Sequence, residues 1–344
     1  MQRLFFPFLP ESWYNKEESP IEYRKEEAAV KKVVILESLG IPAEELNAFK
    51  KPFENEVEFA EYAKTTDIPT LIAETRGADA MIIANMPMPA EVIAACDRLQ
   101  FIDVAFTGVD HVGLDAARAK GVKVSNASGY SNEAVSELVI GMALSMLRNI
   151  PQVQQRARTG GTKEGLVGCE LRGKTVGIIG YGRIGSRTGE LLHAFGCHVL
   201  AQERGKPRQY PDYVEAVPQD ELLRRSDLVV LHCPLNDSTR GMINYEKLSL
   251  MKRSAILINV ARGPVTVESD LARALQEGLI AGAAVDVFTQ EPPLPADAPL
   301  LSAPHTLLTP HVAFATRESM TLRARIVFDN LRAWLDGGQE NVIL

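Results

Sequence analysis

The stretch TVGIIGYGRIGSRTGELLHAFGCHVLAQE, residues 175–203, decides the fold. It begins with an apolar run, passes through a glycine-rich turn and a segment with helical spacing, and ends in a second apolar run. Gly180, Gly182 and Gly185 have the spacing GxGxxG at the turn. The first glycine permits the tight turn, the second lets the backbone approach a ligand, and the third lets the helix pack closely on the strand. The stretch therefore predicts a strand–turn–helix–strand unit of a parallel sheet.

The same turn predicts a dinucleotide site, because the N-terminus of a helix directs its N–H groups at an anion such as a pyrophosphate. Glu203 ends the second apolar run, where a carboxylate accepts the ribose hydroxyls of a dinucleotide. Arg204, Lys206 and Arg208 follow, and these cations suit a ribose 2′-phosphate, which Glu203 would repel. We therefore expect NAD as the cofactor, with NADP as the alternative.

Short apolar runs alternate with longer amphipathic segments along the rest of the chain. Six runs closed by Gly, Pro or a polar turn are interpreted as strands of one sheet: 174–182, 197–203, 227–235, 254–263, 280–288 and 305–312. An earlier series lies at 31–40, 68–77, 79–87, 99–106 and 122–128. Strands that alternate with helices form parallel sheets covered on both faces. We expect two doubly wound α/β domains, with ligands outside the carboxyl ends of the strands.

Two longer segments are predicted as helices. Residues 131–155 are apolar over most of a helical circumference, which predicts one long buried helix that also contacts another domain or subunit. Residues 318–338 carry apolar side chains at three- and four-residue spacing. We expect this second helix to return to the first domain.

Composition narrows the class of protein. The chain has 344 residues, which is a length typical of about two domains, and a formal net charge of -7. This charge counts against a nucleic-acid partner, because phosphate binding needs a basic face. The apolar run at the N-terminus is interrupted by two prolines, and no segment supplies the roughly 20 apolar residues of a membrane span. We expect neither a signal peptide nor a membrane partner.

The cysteines bear on compartment and on metals. Cys96, Cys169, Cys197 and Cys233 stand far apart, with no CxxC motif and no zinc-ligand spacing. We interpret them as reduced thiols of a cytoplasmic protein, and we expect no metal site.

Four polar residues follow the last predicted strands, where the cofactor's reactive end is expected: Arg262, Asp286, Glu291 and His311. An arginine presents a bidentate fork to a carboxylate. A histidine gives or takes a proton near neutral pH, and a neighbouring carboxylate favours its charged form. These groups suit the transfer of a hydride and a proton at a carbinol carbon next to a carboxylate.

From about Lys31 to its end, the chain resembles the D-isomer-specific 2-hydroxyacid dehydrogenase family. Six stretches carry the resemblance in the family's order: GVDHVGLDAARAKGVKVSNASGYSNEAVSELV, GKTVGIIGYGRIG, LHCPLNDSTRGMIN, LINVARGPVTVESDLARAL, AGAAVDVFTQEP and LLTPHVAFATRES. The resemblance implies a discontinuous fold. A Rossmann NAD-binding domain, residues 127–311, is inserted into a flavodoxin-like substrate-binding domain made of residues 1–126 and 312–344. It also implies a homodimer formed through the helix that begins near Asn132.

The resemblance further implies the roles of individual residues. Arg262 is implied to bind the substrate, His311 to act as acid and base, and Glu291 to be its carboxylate partner. The implied substrate contacts also include Asn85 and the backbone around Gly108 and Val109. The remaining implied cofactor contacts are Gly180, Gly182, Arg183, Ile184, Gly185, Glu203, His232, Pro234, Thr239, Val260, Ala261 and Asp286, of which Asp286 is implied to bond the nicotinamide carboxamide.

Two departures from the family bear on the substrate, which is expected to be a 2-oxo or 2-hydroxy acid. Some members carry arginines where this chain has the uncharged loop Asn85, Met86, Pro87 and Met88. Phe314 replaces a small residue shortly after His311. We therefore expect a small or apolar 2-oxo acid rather than a phosphorylated one.

Two alternatives stay open. The C-terminal-binding corepressors resemble this family, so an NAD(H)-sensing interaction protein is one alternative, and turnover would separate it from an enzyme. A formate- or phosphite-type dehydrogenase is the other. Formate dehydrogenases carry glutamine where this chain has Glu291, and that difference favours a proton-coupled reaction on a hydroxy acid.

Overall fold

The computed structural model describes residues 30–203, 205 and 209–344 and contains two parallel β-sheets flanked by helices. These sheets confirm the predicted fold class of two doubly wound α/β domains. Arg204, Lys206 and Arg208, which bear on NAD against NADP, lie outside the described residues, as does the N-terminal apolar run.

The first sheet has five strands and four helices. The strands are β1 Lys31–Ile35, β2 Val57–Glu61, β3 Ala80–Ile83, β4 Phe101–Val104 and β5 Lys123–Asn126. The helices are α1 Ala43–Lys50, α2 Ile68–Thr75, α3 Ala90–Ala95 and α4 Leu114–Ala119, and a short 3₁₀ helix spans Lys51–Phe53. All pairings are parallel in the order β2-β1-β3-β4-β5, which is the flavodoxin-like order predicted.

The second sheet has seven strands. They are β6 Thr175–Ile179, β7 His198–Gln202, β8 Val214–Val217, β9 Leu228–Leu231, β10 Ile256–Asn259, β11 Gly282–Val285 and β12 Thr306–Leu308. Its helices are α5 Asn132–Leu147, α6 Ile150–Arg158, α7 Arg183–Ala194, α8 Gln219–Arg225, α9 Tyr245–Ser249 and α10 Glu268–Gln276, with 3₁₀ turns at Gly263–Val265 and Pro299–Leu301. The parallel order β12-β11-β10-β9-β6-β7-β8 reverses direction beside β6, so a ligand crevice is expected where β6 ends.

Two elements of the sheets differ from the prediction. The second sheet has seven strands rather than six, because β8 pairs with β7 at the sheet edge. Three of its four side chains are exposed or half-buried, so its sequence lacks the apolar run of a central strand. In the first sheet the apolar run 68–77 contains α2, and β2 lies before it with only Val57 buried.

The segment 131–155 forms two helices, α5 and α6, instead of the single helix predicted. Asn149 between them has a left-handed φ of 52°, and Pro151 lies in the first turn of α6. A proline fits there because the first N–H groups of a helix have no intrahelical partner. Helix α5 packs against α7 and shares a core with β6.

The prediction for the C-terminal helix is confirmed, since α11 Arg317–Leu335 packs on the first sheet. Val327, Phe328 and Leu331 are buried in the first-sheet core, and the ring of Trp334 stacks on Phe101 with centroids 5.4 Å apart. The chain therefore leaves the first sheet after β5 and returns to it after β12, and the second domain is inserted into the first. The division at residues 126 and 312 stays a prediction.

A polar cluster around Asp103 lies between the first sheet and α11. Asn330 Nδ2 donates to Asp103 Oδ1 at 3.0 Å and to the carbonyl oxygen of Asn126 at 3.1 Å. Among the described residues, the buried Oδ2 of Asp103 has no hydrogen-bond partner. Burial raises the pKa of Asp103 well above its ordinary value, and the bond from Asn330 lowers it by less. The folded protein therefore favours the neutral carboxyl group.

The free energy of unfolding should fall as pH rises, because the raised pKa makes the folded state bind a proton that the unfolded state releases. The contribution of Asp103 to the free energy of unfolding changes with pH only between its unfolded pKa of about 3.9 and its folded pKa. Between these two values it falls by up to ~1.4 kcal/mol per pH unit. We expect Asp103→Asn to remove this dependence on pH. Urea unfolding at pH 4.5 and pH 8 should give a stability advantage of the variant over wild type that grows with pH.

The exposed carboxylate of Asp115 provides the matched control, because its side chain is fully exposed. Asp115→Asn should leave the pH dependence of unfolding as it is in wild type. A difference between Asp103→Asn and wild type that stays constant across the two pH values would contradict the role assigned to Asp103.

Candidate active site

A cleft of about 610 Å³ lies between the two sheets, beyond the carboxyl ends of their strands. A volume of several hundred Å³ is typical of small-molecule and cofactor sites. The predicted site residues that line it are Gly108, Val109, Gly182, Arg183, Ile184, Gly185, His232, Pro234, Val260, Ala261, Arg262, Asp286 and His311. Most of the residues that the sequence assigned to substrate, cofactor and proton transfer thus come together in one cleft.

The glycine-rich turn after β6 leaves room for a dinucleotide. Gly180 has φ of 101°, and a Cβ there would lie 2.4 Å from the backbone nitrogen of Cys233. A Cβ on Gly185 would lie 2.2 Å from the carbonyl oxygen of Gly180. A Cβ on Gly182, at the start of α7, would meet nothing within 4 Å. The turn is therefore closed against the sheet and open towards the cleft, and these residues fit a bound pyrophosphate.

Glu203 follows β7 directly and is exposed, at the position where an acidic residue would meet an adenosine ribose. Thr239 is buried beneath the loop that begins with Pro234. Its hydroxyl donates to the carbonyl oxygen of Pro234 at 2.7 Å and accepts from the N–H of Asn236 at 2.9 Å. In this structure Thr239 holds the loop that lines the cleft, and neither Glu203 nor Thr239 itself lines it.

His232 directly follows β9, is half-buried, and lies next to the linked hydroxyl groups of Thr188 and Ser136. Its Nε2 lies 3.0 Å from Thr188 Oγ1, which donates to Ser136 Oγ at 3.0 Å. Burial lowers the pKa of His232 to about 3. The imidazole is therefore neutral at physiological pH and lines the cleft without adding a charge to it.

Asp286 is fully buried at the end of β11 and fixes the segment that follows β12. Its Oδ1 accepts from the hydroxyl of Thr309 at 2.5 Å and from the N–H of Val312 at 2.9 Å, and its Oδ2 accepts from the N–H of Ala313 at 2.9 Å. The N–H of His311 donates to the carbonyl oxygen of Asp286 at 2.8 Å. The segment 309–313 is thereby held to the end of β11.

His311 and Glu291 form a close pair at the edge of the cleft. His311 Nδ1 lies 2.6 Å from Glu291 Oε2, and the imidazole side chain is 11% exposed whereas the Glu291 side chain is 47% exposed. A carboxylate only accepts hydrogen bonds, so Nδ1 carries the proton in this contact. The second nitrogen, Nε2, is then the one available for exchange with a bound molecule.

Arg262 reaches across the cleft from the second sheet to the first. Its Nε donates to Asp110 Oδ1 at 3.1 Å, and its Nη1 donates to the carbonyl oxygen of Ala261 at 2.8 Å. A Cβ on Gly108 would lie 1.7 Å from Arg262 Nη2, so the guanidinium occupies the space that a side chain would take. Gly108 thus brings its backbone into contact with the arginine.

Two aromatic rings, Phe106 and Phe314, lie against the imidazole of His311, and Tyr130 packs on both of them. Phe106 and Phe314 lie edge to face with ring centroids 4.9 Å apart, and their centroids lie 5.7 and 5.4 Å from the imidazole. Tyr130 lies 6.3 Å from Phe314 and 6.2 Å from Phe106. The cleft beside the acid/base candidate is therefore walled by apolar surface. The width of the cleft next to His311 depends on Phe314, the bulky residue already noted in the sequence.

Asn85 does not line the cleft, and its surroundings include a cation that the sequence analysis missed. Lys64 Nζ donates to Asn85 Oδ1 at 3.0 Å and to Glu37 Oε1 at 2.7 Å. Glu37 also accepts the N–H groups of Ala84 and Met86 at 2.9 Å each. The loop is therefore next to an ion pair whose charges compensate each other, rather than in uncharged surroundings.

Three further residues belong to the site, and the sequence pattern gave little or no indication of their place in it. Asp110 lies in a stretch quoted for the resemblance, directly after Gly108 and Val109, and was not singled out. Phe106 and Tyr130 come from the first-sheet half of the chain and read as ordinary apolar residues. Only the fold shows that Phe106 lies against His311 and Phe314, and that Tyr130 packs on Phe314.

Within the described ranges, no cluster of three or more histidine, cysteine, aspartate or glutamate side chains has the arrangement of a metal site. None of the helices in these ranges has the length and apolarity needed to cross a lipid bilayer.

Comparison with known proteins identifies the family. Residues 140–313 match the family described as D-isomer specific 2-hydroxyacid dehydrogenase, NAD binding domain. A glycerate dehydrogenase of Methylorubrum extorquens is 36% identical over 330 residues, which cover 91% of this chain and 99% of that protein. A hydroxypyruvate reductase of Blautia hydrogenotrophica is 36% identical over 286 residues, covering 81% and 88%.

A solved structure supports the same assignment. The D-lactate dehydrogenase from Aquifex aeolicus, complexed with NAD and lactic acid, superposes with a TM-score of 0.79 at 28% identity, covering 89% of this chain and 96% of that one. The chain belongs to the D-isomer specific 2-hydroxyacid dehydrogenase family. The expected class of enzyme and the NAD-binding domain are confirmed.

Proposed function

We propose that the chain reduces 2-oxo acids with small or apolar side chains to D-2-hydroxy acids and catalyses the reverse oxidation. The observation that carries this proposal is the convergence of Arg262 and His311, whose Nδ1 is paired with Glu291, in one cleft beside the glycine-rich turn. The names of the relatives, glycerate dehydrogenase and hydroxypyruvate reductase, support a substrate of this class.

Arg262 binds the carboxylate of the substrate in this proposal. A guanidinium has five N–H donors in a planar fork, and the contacts with Asp110 and Ala261 use two of them. The remaining donors match a carboxylate bidentately. The backbone at Gly108 and Val109 lies beside the guanidinium and lines the same part of the cleft.

His311 gives a proton to the oxygen of the 2-oxo group during reduction and removes it during oxidation. Glu291 fixes the imidazole by accepting from Nδ1, which leaves Nε2 for proton transfer. A formate-type reaction needs no such proton acceptor. The pairing of Glu291 with His311 therefore favours a hydroxy acid as substrate.

The turn with Gly180, Gly182 and Gly185 is assigned to the pyrophosphate of NAD, and Glu203 to its adenosine ribose. When bound, NADH supplies the hydride for the carbonyl carbon. The neutral His232, held by Thr188, lines the same cleft with Pro234, Val260 and Ala261.

His311→Gln should lower kcat by 10²–10⁴-fold, the usual contribution of general acid–base catalysis, because glutamine cannot exchange the proton. The affinity for NADH, followed by fluorescence titration, should stay near that of wild type. His198→Gln is the matched control, because His198 is exposed at the start of β7, the opposite end of that strand from the cleft. Unchanged turnover in His311→Gln would remove the residue from the mechanism, and NADH binding by wild type without turnover on any 2-oxo acid would favour the sensor alternative.

The aromatic wall of Phe106, Tyr130 and Phe314 supports a restricted side chain on the substrate. The rings of Phe106 and Phe314, edge to face with centroids 4.9 Å apart, present apolar surface next to His311 and offer no hydrogen-bond donor to a phosphate group. The ion pair of Lys64 with Glu37 adds no net charge nearby. We infer a preference for glyoxylate, pyruvate, hydroxypyruvate or branched 2-oxo acids over 3-phosphohydroxypyruvate.

Phe314→Ala should widen the cleft and raise kcat/KM for a bulky acid such as 4-methyl-2-oxopentanoate relative to glyoxylate by about tenfold, since one or a few methylene groups in an apolar pocket are worth ~1–3 kcal/mol. A panel of 2-oxo acids of different size and charge measures the ratio. Phe195→Ala, at an exposed phenylalanine that follows α7, controls for loss of an aromatic ring. A ranking with 3-phosphohydroxypyruvate first in wild type would contradict the inferred substrate class.

We also propose a cytoplasmic homodimer. Ile150 and Val167 are exposed apolar residues in the segment that follows α5, and the implied dimer contact begins with that helix. No disulfide joins the four cysteines, all of which lie in the described part of the chain, in keeping with a reducing compartment. Sedimentation equilibrium should give twice the 37.7 kDa mass of one chain, and a monomer mass would contradict the assembly.

A further inference from the structure

The ion pair between Asp110 and Arg262 joins the two halves of the cleft. Asp110 follows Gly108 and Val109 in the first-sheet domain, and Arg262 follows β10 of the second sheet. The side chains are 31% and 21% exposed, and Arg262 Nε donates to Asp110 Oδ1 at 3.1 Å. The proposed substrate-binding arginine is thus held by a carboxylate from the opposite side of the site.

The contacts of the guanidinium determine which of its edges remains for a ligand. Nε is bonded to Asp110, and one N–H of Nη1 is bonded to the carbonyl oxygen of Ala261 at 2.8 Å. Nη2 lies against Gly108, where a Cβ would be only 1.7 Å away. The side-on edge, which pairs Nε with a terminal nitrogen, is therefore occupied. A carboxylate can be bound bidentately only through the end-on edge formed by Nη1 and Nη2.

We propose that Asp110 is a positioning residue that fixes the guanidinium of Arg262 for end-on binding of the substrate carboxylate. This inference rests on the proposed role of Arg262. Phe106, whose ring centroid lies 5.8 Å from Arg262 Cζ, and the backbone at Gly108 limit the guanidinium on its other sides. An arginine side chain has several rotatable bonds, so the orientation of its fork depends on such fixed partners.

Asp110 affects the affinity of the site for a carboxylate in two ways, through its charge and through its hydrogen bond, and these effects have opposite signs. Its negative charge lies next to Arg262 and reduces the attraction of the site for an anion, so removal of the charge alone should tighten binding of a carboxylate. Its hydrogen bond orients the guanidinium, so loss of the bond should weaken binding and slow turnover. The direction of the change in affinity therefore identifies which effect dominates.

The experiment compares Asp110→Ala and Asp110→Asn with wild type. The probe is oxamate, a carboxylate that cannot be reduced, titrated calorimetrically into the protein with saturating NADH. We expect Asp110→Ala to weaken oxamate binding about tenfold, the loss of one charge-assisted hydrogen bond. Asp110→Asn should bind oxamate within about threefold of wild type, because its amide oxygen still accepts from Nε. kcat for the preferred 2-oxo acid should follow the same order.

Asp115→Ala is the matched control, because Asp115 lies on the adjoining helix α4 and pairs with Arg118 at the surface. It should leave oxamate binding and kcat unchanged. Tighter or unchanged oxamate binding in Asp110→Ala would overturn the proposal, and an equal loss in Asp110→Ala and Asp110→Asn would overturn its hydrogen-bond basis. Oxamate binding does not require turnover, so an inactive wild type would count against the proposed function while the probe still decides the role of Asp110.

Discussion

The carboxylate of Asp286 fixes the segment on which the geometry of the whole cleft depends. It is fully buried at the end of β11, and it accepts from Thr309, Val312 and Ala313. A buried carboxylate is tolerated because donors satisfy its lone pairs. The chain turns within this segment from the second sheet towards the first, and His311 lies in it. The hydrogen bonds of Asp286 therefore set the position of His311, the proton-transfer candidate. They also fix the segment in which the chain returns from the inserted domain to the first domain.

The backbone of His311 has an unfavourable conformation that the bonds to Asp286 hold in place. Its φ of 55° lies in the left-handed region, which costs a residue with a Cβ roughly 1–2 kcal/mol. The N–H of His311 bonds the carbonyl oxygen of Asp286 at 2.8 Å, and the amides that follow bond its carboxylate. Such a conformation persists where the surroundings over-determine it. The pair of Phe314 with Phe106 then holds the next turn against the first sheet.

The sequence predicted the parts of the molecule that local chemistry determines. The turn at Gly180 and the apolar central strands carry their signal in consecutive residues, so the fold class followed from them. The sequence did not predict the edge strand β8, because an edge strand is half exposed and lacks a continuous apolar run. It also did not predict the break at Asn149, because one left-handed residue leaves the apolar pattern intact. In the site, Arg262 and His311 follow the ends of strands, so the sequence could single them out as candidates. Asp110 was not, since its partner lies in the other domain and only the folded chain brings them together.

The balance of charges in the cleft bears on the size and charge of the substrate. His232 is neutral because burial lowers its pKa, and the carboxylate of Asp286 is turned to the backbone. The other charged side chains at the cleft are Arg183, the His311–Glu291 pair, and Arg262, one edge of which is bonded to Asp110. The free guanidinium edge of Arg262 suits one carboxylate, and the rings of Phe106 and Phe314 next to His311 are apolar. For the proposed reaction, a compact monocarboxylate suits this cleft best, because Arg262 can pair with one carboxylate while the rings of Phe106 and Phe314 offer no hydrogen-bond donor to a second anionic group.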